Sequence, residues 1–171
     1  MAFDPLHGHA ALRRGRYSEP TSNYFLTVCT ENQRPRLISP EISEAIWNET
    51  TTMAADLSWQ IRCAVMMPNH LHLLVRLGER LSLGQTIQRL KAKTSASLRT
   101  RALSWERGFF DRKLRPAEPL LPVFLYICLN PYRAKLCKLS TRWPDYRCCE
   151  EDWSWFQKLL DQDLPMPEWL S

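Results

Sequence analysis

Apolar and β-branched residues gather in short runs early in the chain and recur at helical spacing between those runs. Residues 23–30 (Asn-Tyr-Phe-Leu-Thr-Val-Cys-Thr) are rich in aromatic and β-branched side chains and read as a first strand. A Pro- and Arg-containing loop over 31–39 leads to a helix that opens at Ser39 or Pro40 and runs to about Asp56. Its apolar stripe is Ile42, Ala45, Ile46 and Met53. Residues 59–66 and 70–77 read as two further strands, and Pro68-Asn69 between them has turn chemistry, so the pair forms a hairpin. Ser82 with Gln85 fits a capping box. A long helix then runs from Leu83 to Ala102, with Leu83, Ile87, Leu90, Thr94 and Leu98 facing inward. A short fourth strand with flanking turns is expected over 105–112. An apolar helix follows through Tyr126 and should end or kink at Asn130, because Pro131 disfavours helical angles in the residue before it.

The order strand–helix–strand–strand–helix–strand predicts an α+β, ferredoxin-like sandwich: an antiparallel sheet with helices on one face. Three regions follow: a basic arm over 1–22, a core over 23–137, and a Trp-rich tail over 138–171 with a short helix near 150–161 that packs on the core. At 171 residues the chain suits one domain with a proper core.

Charge alters this picture moderately. There are 23 Lys and Arg against 18 Asp and Glu, a net +5, which favours nucleic acid over an acidic ligand. The excess is local. Arg13, Arg14 and Arg16 sit beside Tyr17 in the arm, and Arg89, Lys91 and Lys93 lie on a helix with no acid between Arg80 and Arg101. Each group reads either as a phosphate-binding surface or as a solvated one. No signal-peptide h-region and no membrane-length apolar run is present. The six cysteines form no Cys-x-x-Cys pair. They are expected to be reduced thiols of a cytoplasmic protein.

Candidate chemistry lies in two stretches. In Met67-Pro68-Asn69-His70-Leu71-His72-Leu73-Leu74-Val75, a strand turns His70 and His72 to one face and Leu71 and Leu73 to the other. Two adjacent imidazoles can grip one divalent cation, or they are simply two histidines on a half-buried strand. In Tyr126-Ile127-Cys128-Leu129-Asn130-Pro131-Tyr132-Arg133-Ala134, Tyr126 and Asn130 are four apart and share a helix face, provided that the helix survives the proline. A tyrosine beside a metal can act as a nucleophile, and an amide can lend it an oxygen ligand.

These stretches, with Arg13-Arg14-Gly15-Arg16-Tyr17, the segment from Ser82-Leu83 through Lys91, and Arg107-Gly108-Phe109-Phe110-Asp111-Arg112, occur in an order that resembles the REP-associated tyrosine transposases. These are single-tyrosine members of the HUH nuclease superfamily, and the resemblance covers roughly residues 13–137. It implies a ferredoxin-like core, a divalent cation (Mg²⁺ or Mn²⁺), and cleavage of single-stranded or hairpin DNA at repetitive extragenic palindromes. It implies that His70 and His72 are metal ligands and that Tyr126 is the nucleophile. Asn130 falls where related transposases place a third, amide ligand. The expected product is a 5′-phosphotyrosine able to undergo strand transfer. The protein would act in the cytoplasm, associated with the nucleoid, as a monomer or homodimer. Lys135-Leu136-Cys137 stands where many members have Gly-Leu-Val, and Leu125 where a basic residue is frequent; neither is a proposed ligand. Two rivals are a non-catalytic nucleic-acid-binding protein of the same fold and a His-x-His-x-His nucleotide hydrolase. The second needs a third histidine where Leu74 stands.

Overall fold

The computed structural model describes residues 18–160. Arg13, Arg14, Arg16 and Trp169 therefore lie outside the described residues. Five strands form one antiparallel sheet: β1 (Asn23–Cys29), β2 (Trp59–Met66), β3 (His70–Leu77), β4 (Phe110–Lys113) and β5 (Tyr146–Cys148), in the order β4-β1-β3-β2-β5. Four α-helices complete the fold: α1 (Pro40–Ala55), α2 (Leu83–Arg99), α3 (Leu121–Arg133) and α4 (Glu150–Leu160). This is the expected α+β sandwich, with one strand more than the sequence suggested.

The hairpin of β2 and β3 is the centre of the sheet, and its register explains the rest. Leu71, Leu73, Val75 and Leu77 turn to one face, where they pack with Leu26 and Val28 of β1 under α1 and α2. That face buries Ile42, Ile46, Trp47 and Met53 from α1 and Leu83, Ile87, Leu90 and Leu98 from α2. The capping box is present: Ser82 Oγ accepts from the Gln85 amide, and Gln85 Oε1 accepts from the Ser82 amide. At the end of β3 the chain crosses the α1–β2 connection so closely that a Cβ on Gly78 would lie 1.9 Å from the Leu57 carbonyl oxygen. Only glycine fits there.

The expected pair of helices on one face is therefore present, and the opposite face is covered as well. There α3 and α4 bury Phe124, Ile127, Cys128, Tyr132, Trp153 and Phe156 against Phe25, Cys63, Val65 and Leu74. The tail contributes β5, which pairs with Cys63, Ala64 and Val65 of β2. Three residues with only one buried in the run carry too weak an alternation to be read as a strand.

Of the two outcomes expected at Asn130, an end or a kink, the end is overturned. The last long helix does not end at Asn130 but continues through Pro131 to Arg133. Proline forfeits the bond to the carbonyl four residues back. Burial of Pro131 and Tyr132 in the core holds the turn together, and the Ala134 amide still donates to the Asn130 carbonyl at 3.0 Å.

Candidate active site

The site lies on the α3 face of the sheet. Cross-strand pairing sets Phe110, Thr27, His72, Val65 and Tyr146 in one row across all five strands. Directly opposed residues point the same way. Thr27 is therefore the cross-strand neighbour of His72, and Phe25 lies one step along the same face of β1. The turn before β3 is pinned by Thr30, whose amide and hydroxyl both donate to the Asn69 carbonyl at 2.9 and 3.0 Å. That anchor sets the Asn69 side chain beside His70.

His70 Nε2 and His72 Nε2 face each other at 3.0 Å. Each ring is held from behind. His70 Nδ1 lies 2.7 Å from Asn69 Oδ1, and His72 Nδ1 lies 2.9 Å from Thr27 Oγ1. Burial lowers the His70 pKa to about 4. Burial, and then the nearby His70, hold His72 well below the ordinary range, while the Leu26 carbonyl pulls weakly the other way. Both imidazoles are thus neutral at pH 7, the form that offers a lone pair to a cation.

The structure brings Tyr126 to this pair. The rings of Phe25, His72 and Tyr126 form a near-equilateral triangle, with centroids 5.4 Å (Phe25–His72), 5.5 Å (Phe25–Tyr126) and 5.5 Å (His72–Tyr126) apart. Phe110 closes the β4 side, 5.9 Å from Phe25. Because α3 is continuous, Tyr126 and Asn130 do share a face, and Asn130 Nδ2 donates to the Tyr126 carbonyl at 3.4 Å. Its amide oxygen is the ligand atom it has to offer. Phe25, Thr27 and Asn69 were not singled out in the sequence. Alternation along 23–30 puts Phe25 and Thr27 on one face, but no local signal says which strand they will oppose.

The cations of α2 stand elsewhere. The helix packs on the face opposite the histidines. Arg89 is half-buried between α1 and α2, paired with Glu49 at 2.9 Å and with Asp56 at 2.5 Å. Lys91 Nζ donates to the carbonyls of Glu106 (2.7 Å) and Gly108 (2.5 Å), and Lys93 is exposed. The sequence displayed a helix face without acids; tertiary packing supplies Glu49 and Asp56 from α1 and its cap.

Residues 20–114, more than half of the 171-residue chain, match the family described as "Transposase IS200 like". The chain belongs to the IS200-like transposase family. The matched span takes in both histidines and stops before Tyr126. The fold is similar to that of a REP-associated tyrosine transposase solved bound to a REP hairpin, at 19% identity over 88% of this chain and 86% of that one, with a TM-score of 0.66. A looser likeness, to a putative transposase of Deinococcus radiodurans R1, has 13% identity over 72% of this chain and 96% of that chain, with a TM-score of 0.48. No curated protein matches the chain. No helix among the described residues is long and apolar enough to cross a membrane.

The donor set of this transposase limits what it can hold. Among the described residues no group of three or more His, Cys, Asp or Glu could bind a metal ion. A cation here would rest on two imidazoles, an amide oxygen, water and substrate. That set suits a catalytic ion with open positions rather than a closed structural zinc. Two nitrogens bound at ~2.1 Å at right angles around one ion lie about 3 Å apart. The Nε2 atoms stand at 3.0 Å, so the two histidines fit the group.

Proposed function

We propose that this transposase nicks single-stranded DNA at hairpin-forming repetitive palindromes and rejoins strands through a 5′-phosphotyrosine, with Mg²⁺ or Mn²⁺ at His70 and His72 and Asn130 as third ligand. The observation that carries the reading is the ring triangle: Tyr126, from late in the chain, stands 5.5 Å from His72 in its middle. The similarity in fold to a transposase bound to a REP hairpin supports hairpin DNA as the partner.

Tyr126 attacks the scissile phosphorus through its phenolic oxygen. The bond to the 3′-oxygen breaks, the phosphate stays on the 5′ side as a tyrosine ester, and the leaving 3′-oxygen takes up a proton while the phenol gives one up. A second 3′-hydroxyl reverses the step and joins strands, because the ester keeps the phosphodiester's free energy. Phe25 and His72 flank the Tyr126 ring and limit its swing, which fixes the direction of attack. The bound cation would neutralise charge on the phosphoryl oxygens.

Binding rests on phosphate contacts by Arg13, Arg14, Arg16 and the exposed Lys93; Arg89 and Lys91, expected in the same role, are engaged within the fold by Glu49, Asp56 and the carbonyls of Glu106 and Gly108. Lys93 lies across the sheet from the cut and suits a hairpin stem that wraps past it. One chain supplies His70, His72 and Tyr126, which supports a monomer as the working unit, with a homodimer as the alternative. Action on chromosomal DNA places the protein in the cytoplasm, at the nucleoid. The test is a nicking assay on single-stranded hairpin DNA with and without Mg²⁺. Cation-dependent covalent adducts that vanish in Tyr126→Phe are expected; adducts that persist in that variant would refute Tyr126 as nucleophile.

A further inference from the structure

We infer that Thr27 is a positioning residue that lets His72 exchange one tautomer for the other when a cation binds. The inference rests on the cation reading of the site and concerns contacts behind the ligands.

Asn69 Oδ1 can only accept a hydrogen bond, so at 2.7 Å it fixes the proton of neutral His70 on Nδ1. His70 Nε2 then presents a bare lone pair to His72 Nε2 at 3.0 Å. Two lone pairs at that distance repel. Without a cation, His72 must therefore carry its proton on Nε2 and donate it to His70. Its own Nδ1 is then bare and needs a donor, which is Thr27 Oγ1 at 2.9 Å.

A cation reverses this demand. It requires lone pairs on both Nε2 atoms, so the His72 proton must leave Nε2 and reappear, through solvent, on Nδ1. That nitrogen now needs an acceptor. A hydroxyl both donates and accepts, and it switches by rotating one bond. A carbonyl or carboxylate could serve only the loaded state. The Leu26 carbonyl, which also reaches the His72 ring, is of that kind. Thr27 alone satisfies both states, and β-pairing places it directly opposite His72. Partners behind metal-bound histidines typically alter affinity 10- to 100-fold when removed.

Two measurements on the full-length protein test this. Long-range ¹H–¹⁵N NMR of the histidine rings reads the tautomers. The expected result is Nδ1–H on His70 and Nε2–H on His72 without cation, with the His72 proton moving to Nδ1 on adding Mg²⁺. Calorimetry with Mn²⁺ should show about a 10- to 100-fold weaker Kd in Thr27→Val and near wild-type affinity in Thr27→Ser. A His72 proton already on Nδ1 in the cation-free wild type overturns the inference, with no variant needed. So does Thr27→Val binding Mn²⁺ like wild type, and in that case the cation reading survives. No Mn²⁺ uptake by the wild type ends both.

Discussion

The two faces of the sheet are packed on different terms. Under α1 and α2, Leu26, Val28, Leu71, Leu73 and Val75 are fully buried against aliphatic helix residues. The buried threonines of those helices return their hydroxyls to their own backbone: Thr50 to Trp47, Thr86 to Ser82 and Thr94 to Leu90. Few polar bonds cross this layer: Trp59 Nε1 donates to the Thr50 carbonyl at 3.2 Å and Trp105 Nε1 to Thr94 Oγ1 at 2.9 Å. Under α3 and α4 the layer is aromatic and thiol-rich, and polar atoms meet across it. His72 meets Thr27, the Cys128 thiol meets the Tyr146 hydroxyl, and Trp143 Nε1 donates to the Met66 carbonyl at 2.9 Å. Burial there pushes the Cys148 thiol up to about 12 and Tyr132 up to about 12. Burial on this face keeps the imidazoles neutral, and the polar partners behind them hold the rings in place. One face supplies stability, and the other spends part of its packing on chemistry.

That division can be broken from either side. The largest effect is expected from Tyr126→Phe, which keeps the ring triangle and removes the oxygen proposed to attack. Covalent DNA adducts on denaturing gels should disappear while hairpin affinity in a filter-binding assay holds. Next, chelation or His72→Ala should lower the nicking rate by several kcal/mol of transition-state stabilisation, about 10³-fold or more, read in single-turnover assays. On the aliphatic side, Leu73→Ala should cost about 2–5 kcal/mol of stability by denaturant unfolding. Its Mn²⁺ affinity per folded molecule should stay unchanged; a tenfold loss would show that the faces are coupled.

A pH series sharpens the contrast further. Burial holds the His70 pKa at about 4, below its ordinary 6.5, and holds His72 well below the ordinary range. Between those values the unfolded chain binds more protons, so cation-free stability is full above pH 6.5 and falls as pH drops toward 4. Thermal melts of wild type and of a His70→Gln, His72→Gln double variant should differ in slope over that window and nowhere above it. The smallest effect belongs to Lys93→Ala. The salt dependence of hairpin binding should flatten by about 0.7–0.9 in the log–log slope, with nicking of bound DNA unaffected.

Much of the scaffold was legible from local pattern. The hairpin of β2 and β3 and the capped start of α2 follow from turn chemistry, alternation and the Ser82–Gln85 box, all short-range signals. So does the placement of His70 and His72 on one strand face. The helix through Pro131 was not legible, because a local rule against proline was outweighed by burial of Pro131 and Tyr132 against distant residues. β5 was not legible either, since its pairing depends on β2 rather than on its own three residues.

What the sequence determines by itself is each element's period, its caps and which side chains share a face, because those depend on neighbours a few residues away. The tertiary structure alone decides which faces meet. It sets Thr27 behind His72, Phe25 beside both His72 and Tyr126, and Glu49 and Asp56 against Arg89. Those meetings are fixed by strand register and helix packing between segments far apart in the chain, and no single segment encodes them.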